Sequence, residues 1–128
     1  AQLGHECIDC GVHEGEPNHY PIYAARAARM VASGEVDRGV VICGTGVGVS
    51  LSANKIKGIR CALCSDCYTA KYTRLHNDAN MLALGARVIG PELAKMILEY
   101  FLSTEFEGGR HRLRVDMISA LERGESIE

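Results

Sequence analysis

The sequence lacks the features that would place a protein outside the soluble globular class. No window of its 128 residues approaches the roughly 18 consecutive apolar residues of a membrane-spanning helix. No charged-apolar-small segment opens the chain as a secretory signal would, so no membrane contact is expected and the cytoplasm is the default location. There is no long basic run either, and the formal net charge is -2, which leaves no footprint for nucleic acid or an anionic membrane surface. Any positive site has to be local. Internal repeats, low-complexity segments and interdomain linkers are missing too, which leaves one domain. With 47% hydrophobic residues, that domain can bury a core without metal or disulfide staples. The chain also lacks an initiator Met: Ala1-Gln2-Leu3-Gly4-His5-Glu6 reads as a helix end closed by glycine, as though the chain started inside a fold.

Cysteine, by contrast, is present six times. Cys7-x2-Cys10 and Cys61-x2-Cys64, with Cys67 beyond, have the spacing of zinc knuckles. Neither pair, however, encloses the Gly or Pro of a tight turn. Both fall in expected strands, His5 to Asp9 and Arg60 to Cys64, where residues three apart point to opposite faces. Small buried thiols in a reducing compartment fit this pattern better, and no metal is expected. Cys43 stands apart from the rest. It ends the β-branched run Val40-Val41-Ile42 and is followed by Gly44-Thr45-Gly46-Val47-Gly48, after which helical spacing resumes in Val49 to Ile56. A thiol and a row of bare amides thus meet at a strand-to-helix turn, where an anion or a thiolate is stabilised.

Apolar periodicity organises the remainder. After the polar stretch Gly11 to Asn18, Pro21 opens a helix to about Ser33 with Ala24, Ala28 and Val31 on its apolar stripe. There follow a strand Gly39 to Cys43, the glycine turn, a helix to about Lys55, a strand Arg60 to Cys64, a helix Asp66 to Arg74 and a strand Met81 to Leu84. Pro91 then opens a helix with Leu93, Ile97, Tyr100 and Phe101 on one face. The last helix runs from Arg110 to Arg123 with Val115, Ile118 and Leu121 inward, and the acidic tail after Glu122 reads as a frayed end. Alternating strands and helices predict a single-domain α/β fold, a Rossmann-like parallel sheet with helices on both faces.

Three clusters carry polar chemistry. Cys43 with Gly44 to Gly48 lies at the carboxyl end of a strand, where open α/β sheets bind ligands. The GxGxG turn alone is weakly specific, since a tight packing turn would use the same glycines. It also lacks the Lys-Ser/Thr of a P-loop and a following acidic residue for a dinucleotide. Arg74-Leu75-His76-Asn77-Asp78 is a polar knot before the Met81 strand. It serves either as a capping turn or as a His acid/base with an Asn to orient an oxygen. Glu107-Gly108-Gly109-Arg110-His111-Arg112-Leu113-Arg114 puts Arg110 and Arg114 on one helical face, as a phosphate clamp or as a solvated basic face. In a parallel sheet the His76 segment lies at the opposite end from Cys43, so a site using both would be shared between two subunits of a dimer. The combination suits proton transfer beside a carbonyl on a small phosphorylated molecule.

At these residues the chain resembles the ribose-5-phosphate isomerase B family, which also includes allose-6-phosphate isomerases and galactose-6-phosphate isomerase subunits. The carriers are Cys43 to Gly48, Ser52-Ala53-Asn54-Lys55, Arg74-x-His76-Asn77-Asp78-x-Asn80, Leu84-Gly85-x-Arg87-Val88-x-Gly90 and Glu107 to His111, in order along almost the whole chain. The resemblance implies an aldose-ketose isomerase that works through an enediolate with no metal and no cofactor. It implies Cys43 as the base and His76 as the group that assists ring opening. Gly44, Thr45, Gly46, Val47 and Gly48 would hold the oxyanion, and Asn77 a substrate oxygen. Arg87, Arg110 and Arg114 would hold the phosphate. A homodimer with shared active sites is implied, the helix from about 110 packing on the partner, with a tetramer left open.

Two departures from the family accompany these matches. Family members open with a strand ending in an Asp-His pair that contacts substrate, and this chain begins after that point. The first strand is therefore expected to be missing from this 128-residue sequence and to belong beside the strand that ends at Cys43. The family's usual Asp-Tyr-Pro is here His19-Tyr20-Pro21, so no role is assigned to His19, nor is one assigned to His111.

Two alternatives remain open on the residues. A non-catalytic flavodoxin-like module that binds phosphosugars would use the glycine turn and need neither Cys43 nor His76. Among isomerases, ribose 5-phosphate and allose 6-phosphate both remain as substrates, while the Cys43-Gly44-Thr45-Gly46 form argues against the galactose-6-phosphate branch.

Overall fold

A computed structural model describes residues 4–11 and 19–128. The expected helix end at residues 1–3 and the polar turn over 12–18 lie outside the described residues. The elements are α1 (Tyr20–Ala32), β1 (Gly39–Cys43), α2 (Val47–Ala53), β2 (Cys61–Leu63), α3 (Cys67–Asn77), β3 (Met81–Gly85), α4 (Pro91–Ser103) and α5 (Arg110–Glu122). The sheet is parallel, in the order β1-β3-β2, with Gly39 beside Met81 and Cys43 beside Gly85. All five residues of β3 are buried, as a central parallel strand requires.

Side-chain alternation along β3 divides the core in two. Met81 and Ala83 pack with Ala24, Ala28, Val41, Val49 and Ala53, under α1 and α2. Leu82 and Leu84 pack with Ala70, Ile97 and Phe101, under α3 and α4. The sheet is therefore covered on both faces, in a single α/β domain. Its local signals explain the boundaries. Pro21 sits in the first turn of α1, and Asp66 caps α3 by accepting from the Thr69 N–H at 2.6 Å and from the Thr69 hydroxyl at 2.9 Å.

The sequence reading needs four corrections. His5 to Asp9 forms no strand. It lines, with Val40 and Cys43, a cleft of about 1630 Å³ along the outer edge of β1, and its backbone forms no ladder with that edge or with any other described strand. Helix α3 runs on to Asn77, because Asp78 adopts a left-handed conformation (φ 47°, ψ 43°) and closes it there. His76 and Asn77 therefore sit in a last helical turn, not in a loop. In α5 only His111 and Val115 are buried, while Ile118 and Leu121 are 45% and 55% exposed, so in the single chain that side of the helix is left open among the described residues. In α4 the buried positions are Ile97 and Phe101, and Leu93 and Tyr100 lie at the exposed margin.

Arg74 turns out to be structural. It is 4% exposed; its Nε donates to the Thr104 carbonyl at 3.0 Å, and its Nη1 donates to the Ala79 carbonyl at 2.7 Å and to Asp78 at 2.9 Å. One guanidinium thus ties the end of α4 to the entry of β3. Arg74→Ala orphans these acceptors and is expected to cost about 3 kcal/mol of stability, read as a lowered urea midpoint. An unmoved midpoint would mean that water replaces the guanidinium at both carbonyls.

Candidate active site

Cys43 ends β1 at the carboxyl edge of the sheet. Its Sγ accepts a hydrogen bond from the Gly46 N–H at 3.2 Å. Burial pushes this thiol up, but the N–H groups of Val49, Gly46 and Thr45 and the Thr45 hydroxyl, all directed at the sulfur, outweigh that effect and hold its pKa below the ordinary value. The other inner cysteines contrast with it: burial pushes Cys61 up to about 11 and Cys64 up to about 12. Only Cys43 of these three is poised to act as a thiolate.

Close backbone packing holds the glycine turn around that sulfur. Gly46 takes φ +82°, and a Cβ there would strike the Leu63 side chain and lie 2.9 Å from the Leu84 carbonyl carbon. A Cβ on Gly85 would lie 2.5 Å from the Thr45 carbonyl oxygen, so β3 and the turn touch backbone to backbone. The Val47 N–H donates to Thr45 Oγ1 at 3.2 Å. The segment after β3 is laced to the turn as well: the Ala86 N–H donates to the Cys43 carbonyl at 2.8 Å and the Arg87 N–H to the Gly44 carbonyl at 2.9 Å. The Arg87 side chain crosses Gly44, where a Cβ would lie 3.5 Å from its Cδ. Tyr20, to which sequence reasoning assigned no role, seats its ring on Gly48, where a Cβ would lie 2.5 Å from the ring.

The second cluster lies at the other end of the sheet. His76, in the last turn of α3, stacks on His111 of α5 with ring centroids 4.0 Å apart and planes 9° apart. The loop before α5 is held against α3 by the Glu107 N–H, which donates to the Leu75 carbonyl at 3.0 Å. Glu107 Oε1 lies 3.7 Å from His111 Nε2. His111 is pushed below the ordinary histidine value, first by burial and then by the charges of His76, Arg110 and Arg114, with Glu107 opposing. Arg110 and Arg114 are exposed at the start of α5, and Asn77 is exposed with its carbonyl accepting from Arg60 Nε at 3.0 Å. Sequence reasoning had no way to see the His76–Glu107–His111 grouping, because 30 or more residues of chain separate its halves.

The sequence-predicted residues therefore form two groups. Cys43, Gly44, Thr45, Gly46, Val47, Gly48 and Arg87 gather at the carboxyl end of β1 and β3; His76, Asn77, Arg110 and Arg114 gather where β3 begins. The length of β1 alone sets the two ends about 13 Å apart. Within one chain the thiol and His76 do not meet.

Residues 1–118 match the model of a family described as Ribose/Galactose Isomerase. The chain is 53% identical over 122 residues to ribose-5-phosphate isomerase B of Escherichia coli K12, a match that covers 95% of this chain and 82% of that one. A solved ribose-5-phosphate isomerase B from Clostridium thermocellum superimposes with a TM-score of 0.92 at 50% identity, covering 98% of this chain and 84% of the other. A ribose-5-phosphate isomerase B from Mycoplasma genitalium, solved with bound ribulose-5-phosphate, superimposes with a TM-score of 0.78 at 40% identity, covering 85% and 76%. No helix among the described residues is long and apolar enough to cross a membrane.

Proposed function

The chain belongs to the ribose/galactose isomerase family, and from that membership we propose how its two side-chain clusters interconvert ribose 5-phosphate and ribulose 5-phosphate. It is an aldose-ketose isomerase of the ribose-5-phosphate isomerase type. The observation that carries the chemical reading is the Cys43 thiol, whose N–H and hydroxyl donors outweigh its burial.

The reaction begins with the closed sugar, whose ring His76 helps to open, since an imidazole can deliver a proton at the ring oxygen and take one from the anomeric hydroxyl. In the open-chain aldose the Cys43 thiolate removes the proton on C2. The released electron pair forms the C1–C2 double bond, and the C1 carbonyl oxygen becomes the enediolate oxyanion. Cys43 then returns its proton to C1, the proton on O2 passes to O1, and the carbonyl now stands at C2. Amides of the Gly44 to Gly48 turn, with Thr45, face the developing oxyanion, where such a donor is worth ~3 kcal/mol. Asn77 binds a substrate oxygen, and Arg87, Arg110 and Arg114 hold the phosphate by planar bidentate contacts.

The site is completed by a second copy of the chain. The separation of the Cys43 and His76 groups supports this, because an isologous dimer brings one end of a subunit to the other end of its partner. The exposed Leu113, Ile118 and Leu121 of α5, 66%, 45% and 55% accessible in the single chain, support this helix as the element that packs on the partner.

Mixing two inactive variants tests activity and assembly together. Cys43→Ala and His76→Ala are each expected to lose most ribulose 5-phosphate formation. After dissociation and random reassociation of equal amounts, about a quarter of parental activity is expected, because half of the dimers are mixed and each mixed dimer has one intact site. Absence of recovery would rule out shared sites, and absence of ribulose 5-phosphate formation by the parent protein would overturn the isomerase reading.

A further inference from the structure

The His76–Glu107–His111 group has a chemistry that the isomerase reaction leaves unused. Each residue offers one metal-ligating atom, and the three atoms lie within 4.8 Å of one another. Glu107 and His111 are four residues apart at the start of α5, and the fold brings His76 to them from the end of α3. A second observation points to a ligand: His111 Nε2 is fully buried and has no hydrogen-bond partner, although its residue is 7% exposed and the Glu107 carboxylate lies on that side at 3.7 Å. A buried imidazole nitrogen left unpaired is costly, and a cation shared with Glu107 would satisfy it.

We propose that His76, Glu107 and His111 form a binding site for a divalent transition cation such as Zn²⁺, and that the bound cation withdraws His76 from ring opening. Two imidazoles and one carboxylate select a borderline cation over Mg²⁺ or Ca²⁺, which take oxygen ligands. Bond lengths of about 2.0–2.2 Å require the donors to close in from their present separation. Glu107, whose side chain is 56% exposed, has the freedom to swing inward, and the two rings have to tilt out of their parallel stack. The cation therefore reorients His76 as well as occupying its nitrogen. Binding itself follows from the three residues alone; the inhibitory half rests on the isomerase reading of His76.

Co²⁺, a spectroscopic stand-in for Zn²⁺, tests this on chelator-treated full chain. The expected result is one Co²⁺ bound per chain, with visible d–d bands of nitrogen and oxygen ligation and without the intense thiolate-to-cobalt band that any of the six cysteines would produce. Zn²⁺ is expected to inhibit ribulose 5-phosphate formation reversibly, with activity restored by chelator. His111→Gln and the surface change Glu107→Gln are each expected to weaken Co²⁺ binding and Zn²⁺ inhibition together, by roughly an order of magnitude. A thiolate band, no Co²⁺ binding, or unchanged binding in both variants would overturn the site. Binding with these signatures but no inhibition would overturn the withdrawal of His76. A chain that binds Co²⁺ as described and never isomerises ribose 5-phosphate would sink the isomerase reading while leaving the site intact.

Discussion

Replacing Cys43 by alanine lowers turnover of ribose 5-phosphate by roughly 10²–10⁴-fold and leaves its binding within a few-fold of the parent. The asymmetry follows from the proposed roles: Cys43 would move the proton, while Arg87, Arg110 and Arg114 would hold the phosphate. Removing the base takes away a proton transfer made only in the transition state. The same arrangement sets the pH dependence. Donors from Gly46, Thr45 and Val49 lower the Cys43 pKa, and in the proposed mechanism the thiolate is the active form. Activity is therefore lost as pH falls through that lowered pKa, and the rising limb of kcat/KM is expected below the midpoint of a free thiol. Isothermal titration with substrate and a pH profile of kcat/KM check the two parts. Unchanged turnover in Cys43→Ala would remove Cys43 as the base. A limb at or above the free-thiol midpoint would mean that the donors do not govern the sulfur.

A second large loss is expected from one added methyl group on a residue to which the proposed mechanism gives no role. Gly85→Ala puts a Cβ 2.5 Å from the Thr45 carbonyl oxygen, 2.7 Å from its carbonyl carbon and 3.0 Å from Val88 Cγ2. The first two are backbone atoms, so no rotamer change relieves the contact, and the turn has to move away from β3. Misplacement of about 1 Å in a reacting geometry costs roughly 10²-fold in rate, and overpacking of this kind costs about 1–3 kcal/mol in stability. Circular dichroism should show the fold retained while kcat falls. As the turn shifts, the Gly46 N–H bond to Cys43 also lengthens, so the kcat/KM limb should move to higher pH. Parental activity with an unshifted limb would show that the turn does not depend on this seat.

Much of the fold was legible because the signals that write it are short-range. Pro21 and Pro91 open α1 and α4, and Ala24, Ala28 and Val31 mark the buried stripe of α1 at helical spacing. The apolar run Gly39 to Cys43 and the glycines after it fall within one strand and one turn. Where the reading failed, the deciding contact was absent from the local pattern. His5 to Asp9, with Cys7 and Ile8 at its centre, reads as a strand, yet a strand exists only with a ladder partner. Ile118 and Leu121 keep helical spacing with Val115, yet of the three only Val115 is buried. His76 and Asn77 looked like loop because their polarity resembles a turn, and the left-handed Asp78 that keeps them helical, held by Arg60 and Arg74, has no signature in composition.

The candidate site divides along the same line. The sequence by itself determined that a thiol ends a strand at a glycine turn, that His76 precedes the next-but-one strand, and that Arg110 and Arg114 share a helical face, since each is a relation among residues a few positions apart. It also determined that the first two lie at opposite ends of a parallel sheet, which needs only the alternation of strands and helices. Only the tertiary structure decided that amides and a hydroxyl hold Cys43 below an ordinary thiol, that Gly85 presses on Thr45, that Arg87 lies with Cys43 while the α5 arginines lie with His76, and that His76 stacks on His111 beside Glu107. Those facts rest on contacts between residues distant in the chain or on the exact path of a turn, and packing sets them to within tenths of an ångström where residue order leaves them free.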